Sequence, residues 1–365
     1  MEHSRFRNLT FSKNRPTENL VFKLVTRWTP CILLAFSLII TAKLALGHSF
    51  ACATIRDAQL VSEKFLETRC YSEGVFVDQY RLSRDELRYP SSRFVQSDES
   101  KRIGYYSFVN VVFLLQAVVF YIPYLLRSAY ERGYVSRLTS GLQMSLRKEQ
   151  KRSMEIHGLA KHLLLTQGKH YLFSSMCVLF ETCNFLICIC QIIWLVRFFD
   201  VTSTPIGTDL SSWTSYRQFY FPSEGSCSVA RRTTSGERLS LDAICVLPLN
   251  EVHMYMFLFL KGWYVFLTLA TFLVLVYRTI LLLPPFRSLV LRLSSPMASR
   301  STVRDVCART SYSDWVFLRA VQKLVQNVDF ARLLGRFLTM SQNKGKDPQP
   351  QDDSDEKSSI YEDSC

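Results

Sequence analysis

Four of the eleven cysteines have the spacing of a disulfide framework. Cys52 and Cys70 lie in one long polar segment, Cys227 and Cys245 lie in another, and the separation within each pair is the same. Four cysteines allow three pairings. One cysteine of each pair lies a few residues from an apolar segment, and the other lies further out along its loop. We therefore expect the two near cysteines to bond to each other and the two outer cysteines to bond to each other. The predicted disulfides are Cys52 with Cys245 and Cys70 with Cys227, and the alternatives are Cys52 with Cys70 or free thiols.

Other cysteines cluster in one apolar segment without forming a metal-site pattern. Cys177, Cys183, Cys188 and Cys190 have no CxxC spacing and no nearby histidine within that segment, so we interpret them as small packing residues. The sequence also has no phosphate-cradling glycine loop, zinc-protease motif or nucleophile elbow. It therefore predicts no metal site, no cofactor and no enzyme.

A carboxylate lies near the middle of that same apolar segment. Glu181 occupies a position where a charge is costly and is usually placed for a reason. On a helix it shares one narrow stripe with Cys177, Asn184, Cys188 and Gln191. Two roles stay open for Glu181, namely a hydrogen bond to a neighbouring helix or a part in gating or permeation.

Two further residues are candidates for functional roles within apolar segments. Pro123 removes one backbone hydrogen bond and is expected to bend its helix, which serves either packing or a gating hinge. Lys43 lies near the end of the first apolar segment, where its long side chain can carry the charge to the membrane interface. Its alternative role is at the entrance of an aqueous pore.

Four segments are apolar and long enough to cross a bilayer core of about 30 Å as helices. They run over 30–47, 105–126, 171–198 and 254–283. The first lies too far from the N-terminus for a cleaved signal peptide, so we expect it to be retained. The sequence therefore predicts an all-α membrane protein with four transmembrane helices and both termini on one side.

The charges of the connecting segments predict which side each one faces. Segment 1–29 carries six Lys and Arg against two acids, and segment 127–170 carries nine against three. Segment 48–104 carries nine of each sign, and 199–253 carries four basic against six acidic residues. Because basic loops stay in the cytoplasm, we expect both termini and 127–170 inside and the disulfide loops outside. Most of the net charge of +13 then faces anionic lipid, which is favoured over nucleic acid as a partner.

The remaining segments complete the predicted organisation. Loops 48–104 and 199–253 are too long to be turns, so we expect a small disulfide-braced α/β extracellular cap of strands with one helix. Residues 284–342 show the spacing of a cytoplasmic helical domain, and 343–365 have the composition of a disordered tail. Residues 1–29 form a cytoplasmic N-terminal arm.

Several short stretches are similar to one known family. Glu-Asn-Leu-Val-Phe-Lys-Leu at 18–24 precedes the first apolar segment, Tyr-Tyr at 105–106 and Phe-Tyr-Ile-Pro at 120–123 belong to the second, and Cys-Val-Leu-Pro-Leu-Asn at 245–250 precedes the fourth. With Glu181, Asn184-Phe185, Gln191-Ile192, Arg-Phe-Phe-Asp at 197–200 and Asp-Trp at 314–315, these resemble the innexins, the gap-junction proteins of invertebrates. Innexins and pannexins have two cysteines in each outside loop, whereas connexins have three.

The sequence departs from the innexin pattern at a few places. Ser107-Phe108 replaces the usual Gln-Trp, Tyr71 stands where the family typically has Trp, and 231–237 is unusually polar. We expect Tyr71 and the polar run on the outward surface, where they would affect the choice of docking partner.

The resemblance implies a homo- or hetero-oligomeric, octameric ring around a wide pore for ions and small metabolites. By the same analogy the N-terminal arm forms the pore funnel, the first helix lies toward the pore, and two rings on adjacent cells dock through their caps at a gap junction in the plasma membrane. Two other functions stay open. One is an unpaired hemichannel that releases small solutes, and the other is a scaffold of the claudin or tetraspanin kind, whose cysteine signatures are missing here.

Overall fold

The chain folds as helices with one small antiparallel sheet, which confirms the predicted fold class. A computed structural model describes residues 18–46, 50–54, 62–78, 100–131, 134–143, 149–199, 221–232 and 238–344. In chain order the elements are α1 (Leu20–Ala45), β1 (Ala51–Thr54), α2 (Glu63–Glu73), β2 (Val75–Asp78), β3 (Ser100–Ile103), α3 (Val109–Glu131), α4 (Tyr134–Leu138), α5 (Ser140–Gln143), α6 (Glu149–Leu165), α7 (Tyr171–Phe199), β4 (Glu224–Arg232), β5 (Arg238–Val246), α8 (Pro248–Ile280), α9 (Pro284–Ser294), α10 (Arg300–Arg309), α11 (Tyr312–Gln322) and α12 (Asn327–Lys344). Residues 1–17 of the predicted arm and 345–365 of the predicted tail lie outside the described residues.

Four of these helices, α1, α3, α7 and α8, are long and apolar enough to cross a membrane. Helix α1 begins at Leu20, so the end of the predicted arm forms its first turns. Residues Leu24–Trp28 form a π-helical turn just before Pro30, which has no amide hydrogen to donate. The Thr29 hydroxyl donates to the Leu24 carbonyl at 2.9 Å, so this turn supplies a side-chain hydrogen bond where the backbone pattern changes.

The chain divides into two compact units, each described by itself. The sheet unit comprises Asn19–Tyr130 and Phe180–Leu275, and it contains the sheet and most of the long helices. Aromatic rings fill its helical core, with the Phe113 and Phe257 centroids 5.2 Å apart. Polar groups in this core pair across helices, since Tyr264 on α8 donates to the Gln116 side-chain oxygen on α3 at 3.2 Å.

The sheet has the strand order β1-β5-β4-β2-β3, and every neighbouring pair is antiparallel. Strands β4 and β5 form a hairpin of nine residues each, which is the longest pairing in the sheet. The two loops are interleaved in it, because β4 and β5 of the second loop lie between β1 and β2 of the first loop. Neither loop can therefore complete this sheet without the other.

The helical unit contains the described residues of Glu131–Leu179 and Val276–Lys344. Helices α4 to α6 from the middle segment pack with α9 to α12 around one apolar core. Trp315 and Phe317 from α11 and Phe330 from α12 are among its fully buried side chains. At its edge Arg152 on α6 pairs with the buried Asp329 on α12, with 2.8 Å between nitrogen and oxygen.

Candidate functional site

Both disulfides join the first cysteine-bearing loop to the second. Cys52 on β1 lies directly opposite Cys245 on β5, and their Cα atoms are 4.1 Å apart. Cys70, near the end of α2, bonds to Cys227 on β4 with a Cα separation of 5.9 Å. All four side chains are buried. The first bond holds a four-residue edge strand and the second holds a helix against the sheet, and each contributes roughly 2–4 kcal/mol by the usual loop-closure argument.

Three of these sulfurs lie close enough together to suggest a metal site. The Sγ atoms of Cys52, Cys70 and Cys245 lie within 4.8 Å of one another. Metals bind the thiolate form of cysteine, and here each sulfur is part of a disulfide, Cys52 with Cys245 and Cys70 with Cys227. We therefore interpret the cluster as two adjacent structural disulfides.

A tyrosine pair connects the disulfide sheet to the membrane helices. The Tyr106 hydroxyl is buried and donates to the carbonyl of Cys70 at 3.2 Å. Its ring packs against Phe50 and Tyr71, with centroid distances of 5.9 and 5.2 Å. Tyr71, expected on the outward surface, is partly buried, because its ring packs against the apolar core of the sheet region, and burial raises the pKa of its hydroxyl. Residues 233–237 of the polar run lie outside the described residues.

The neighbouring Tyr105 meets the segment before α8. Its hydroxyl donates to the side-chain oxygen of Asn250 at 3.3 Å, and the side-chain amide of Asn250 donates to the Pro222 carbonyl at 3.0 Å. The Phe198 ring at the end of α7 lies 6.3 Å from the Tyr105 ring. Tyr105, Phe198 and Asn250, which belong to three of the stretches that carried the family resemblance, thus contact one another through Tyr105.

Glu181 forms the second candidate site, within the helices of the same unit. Glu181 is 4% exposed, and its Oε1 accepts a hydrogen bond of 2.8 Å from the side-chain amide of Asn19, the residue that precedes α1. A cavity of about 10 Å³ beside it, with room for one water molecule at most, is lined also by Phe22, Asn184 and Thr271. The other predicted stripe residues are also buried, namely Cys177, Asn184, Cys188 and Gln191.

Two arginines lie against aromatic rings near the same end of α1. The Arg127 guanidinium is 4.5 Å from the centroid of Phe22, and the Arg27 guanidinium is 4.8 Å from that of Tyr124. Arg127 is only 1% exposed, which makes it one of the most buried charged residues among those described. Sequence analysis did not single it out, although it continues the buried stripe of α3 at four residues after Pro123.

The other predicted site residues have the following positions. Pro123 is buried within α3, which continues to Glu131. Lys43 is exposed in the last turn of α1. Their assigned roles as a hinge and as part of a pore entrance stay predictions.

The Asp-Trp stretch at 314–315 organises the start of α7 within the helical unit. Both carboxylate oxygens of Asp314 accept from the Gly168 amide at 3.0 Å. Gly168 has a φ of 81°, which favours glycine, and it precedes α7 by three residues. His170 then stacks on Phe317 with 4.1 Å between ring centroids. Burial lowers the pKa of His170, an effect that the nearby Asp314 carboxylate opposes and that His162 reinforces.

Comparison with known proteins identifies the family of this chain. The innexin family model matches residues 18–340. The chain belongs to the innexin family. It is 26% identical over 338 residues to Innexin shaking-B of Drosophila melanogaster, covering 89% of this chain and 90% of that protein. It is also 26% identical over 331 residues to Innexin inx2 of Schistocerca americana, with 87% and 91% coverage, and 27% identical over 326 residues to Innexin inx2 of Drosophila melanogaster, with 86% and 87% coverage.

The family match covers both candidate sites. The match includes the four long helices, both disulfides and the helical unit. Innexins are gap-junction channel proteins, and this innexin has the four apolar helices of a multi-pass membrane protein. The disulfide sheet and the Asn19–Glu181 contact both lie within the part of the chain that matches this family of channel proteins.

Proposed function

We propose that this innexin is a structural subunit of a large-pore gap-junction channel that passes ions and small metabolites between adjacent cells. The observation that carries the proposal is the family match over residues 18–340, which includes all four long helices and the two disulfides. Its partners are other innexin-like subunits, identical or different, in an octameric ring.

The proposed channel has both chain termini in the cytoplasm. The excess of Lys and Arg in segments 1–29 and 127–170 supports this orientation, because basic segments near membrane helices stay inside. It also places the two disulfides on the oxidising side of the plasma membrane, where such bonds persist. The sheet is then the extracellular cap.

Polar side chains in the last turns of α1 support a position next to the pore. Asn110 on α3 donates to the Thr41 hydroxyl at 3.0 Å and accepts from the hydroxyl of Ser37. Thr41 and Lys43 are exposed in this single subunit. Exposed polar groups within a membrane helix require water or another protein surface, so this side of α1 is better suited to the pore or a neighbouring subunit than to lipid.

The contact between Asn19 and Glu181 supports a positioning role for the carboxylate. It holds the residue at which the N-terminal arm joins α1, and the arm that precedes this residue belongs to the proposed funnel of the pore. We propose that Glu181 contributes to gating by fixing where the arm leaves the first helix, rather than by touching the permeating ions.

Dye transfer tests the junction directly. Cells expressing the chain are paired, transfer of a small dye to the contacting cell is measured, and dye uptake is measured separately in isolated cells. A gap junction predicts transfer, and uptake without transfer would instead indicate an unpaired hemichannel. Neither transfer nor uptake, from a chain present at the surface, would contradict the channel function and favour a scaffold.

A matched pair of cysteine variants shows whether the cap is needed for docking. Cys70→Ser with Cys227→Ser removes one disulfide, whereas Cys190→Ser removes an exposed thiol that forms no disulfide. The double variant is expected to lose dye transfer and the control to keep it.

End-on imaging of purified particles measures the number of subunits and shows the pore. A ring other than an octamer would correct the proposed assembly.

A further inference from the structure

Helix α9 begins four residues after the fourth membrane helix ends, and one of its faces is fully packed. Leu291 is 0% exposed and belongs to the core of the helical unit with Val303 and Val306. Arg287 is also buried, and its guanidinium lies 3.4 Å from the Thr310 carbonyl and 3.5 Å from that of Leu282. The inward face of α9 therefore needs no further partner.

The opposite face of the same helix is apolar and exposed. Phe286, Leu289 and Leu293 are 43%, 49% and 75% exposed, and their spacing of three and four residues aligns them along one side. We name these three residues the α9 stripe. Leu282 and Leu283, which are 55% and 53% exposed, continue the apolar surface from the end of α8 into the stripe.

The next helix shows that this exposure is not a general property of the unit. The exposed positions of α10 include Arg300, Arg304, Asp305 and Arg309, while its apolar Val303 and Val306 are buried. Helix α10 thus has the ordinary pattern of a helix with one face in water. The α9 stripe departs from that pattern directly beside a membrane span.

The charged residues along the chain on both sides of the stripe are all basic. Arg278, Arg287, Arg292, Arg300 and Arg304 occur between residues 278 and 304, and the sequence has no Asp or Glu from 252 to 304. Basic residues beside an apolar helix face are typical of helices that lie in the interface of anionic membranes. The same charge disfavours burial of the stripe against the same stripe of a second copy, because the arginines would repel.

We propose that the α9 stripe lies in the membrane interface, in contact with the acyl chains, while Arg278 and Arg292 contact anionic lipid headgroups. The Cα atoms of Ile280 and Pro284 are separated by four residue steps, which span at most about 14 Å even when extended. The start of α9 therefore stays near the level at which α8 leaves the bilayer. Tyr277 and Arg278 are residue types that mark this level. With the orientation proposed above, the surface is that of the cytoplasmic leaflet.

Photo-crosslinking in the full-length chain in native membranes tests the contact with lipid. Phe286→benzoylphenylalanine and Leu293→benzoylphenylalanine place the probe at two positions of the stripe. Phe266→benzoylphenylalanine on α8 is the control for a lipid-facing site, and Ala308→benzoylphenylalanine on α10 is the control for a site in water; both residues are exposed. Lipid adducts, identified by mass spectrometry, are expected at the two stripe positions and at Phe266 but not at Ala308.

Several results would overturn the proposal. A crosslink to a second subunit would assign the stripe to the assembly, a crosslink within the chain would assign it to residues such as the tail, and a crosslink to another protein would assign it to a binding partner. Loss of all adducts at both stripe positions, with Phe266 still labelled, would place the stripe in water. None of these readings depends on channel activity.

The charged part of the proposal has its own test. Nanodiscs of phosphatidylserine with phosphatidylcholine, compared with phosphatidylcholine alone, are expected to give preferential phosphatidylserine adducts at Phe286→benzoylphenylalanine. Adding Arg278→Gln and Arg292→Gln should abolish that preference, whereas adding Arg309→Gln on α10 should leave it unchanged. A preference that survives the first pair of changes would exclude these two arginines as the headgroup contacts.

Discussion

The disulfide sheet and the helical unit are stabilised in different ways. The sheet region has a core of eleven buried apolar residues, four of which are the bonded cysteines. The helical unit has a core of twenty-three buried residues, and the one cysteine in that core, Cys307, is a buried free thiol. A small core gains little from burial, so covalent bonds supplement it, whereas the larger core is sufficient without them. The two regions should therefore fail under different treatments.

The largest expected effect comes from truncating the core of the helical unit. Trp315→Ala removes a side chain that is 1% exposed and should lower the free energy of unfolding by roughly 3–5 kcal/mol through lost burial and a cavity. Hydrogen exchange of α11 and α12 measures it, and the sheet should be unaffected. Met154→Ala, at a side chain 67% exposed, is the control and should change little. Faster exchange in the strands rather than in α11 would contradict the independence of the two regions.

Loss of a disulfide should have a comparable or slightly smaller effect, confined to the sheet. Cys52→Ser with Cys245→Ser frees the edge strand β1 and should cost roughly 2–5 kcal/mol. The measurement is hydrogen exchange of β1 and β5, with reduction of the wild-type chain expected to reproduce the result. Equal protection of these strands before and after reduction would show that the bonds add nothing to the sheet.

Changes at the contact between Asn19 and Glu181 rank third. Asn19→Asp places a second carboxyl group beside Glu181 and should disturb the arm more than Asn19→Ala, which removes one hydrogen bond worth roughly 0.5–1.5 kcal/mol. Glu181→Gln keeps an acceptor oxygen for Asn19 and should be the mildest. Open probability in patch recordings, with surface expression as the control, ranks the three variants. If Asn19→Asp and Glu181→Gln both gate normally, the proposed gating role is removed and only packing remains.

The smallest expected effect is a pH dependence confined to the helical unit. Burial lowers the pKa of His170 below its ordinary value near 6.5, so the unfolded chain takes up the proton first as the pH falls. The stability that the neutral ring contributes is complete above that value and is lost as the pH falls from there towards the folded pKa. Melting of the wild type should therefore decrease more than that of His170→Gln between about pH 7.5 and 5.5. A parallel decrease in both proteins would assign the effect to other groups.

The membrane helices and the disulfide framework were predictable because their signals are long or repeated. The apolar segments are long enough to cross the core of a bilayer, and distance from the segment ends distinguishes Cys52 from Cys70. The start of α1 at Leu20 was harder to predict, since Lys23 and Arg27 interrupt the apolar run there. The strand order could not be read from either loop, because β5 pairs with β1 and β4 at once.

The helical unit shows a signal that was present but unused. Ile156, Leu159, Ala160 and Leu163 on α6 are all buried and have helical spacing, which charge counting in segment 127–170 did not consider. The contact of Asn19 with Glu181 had no such signal. These residues are 162 positions apart, and only the packed helices bring them together.

The sheet combines strands from both loops, and this also determines when the sheet can be completed during synthesis. Cys245 follows Cys52 by 193 residues, so a ribosome adding about 5–20 residues per second needs roughly 10–40 seconds between them. For most of that interval the nascent chain presents Cys52 and Cys70 to each other before their native partners exist. An isomerase that reopens such premature bonds is therefore expected to govern the yield of mature subunits.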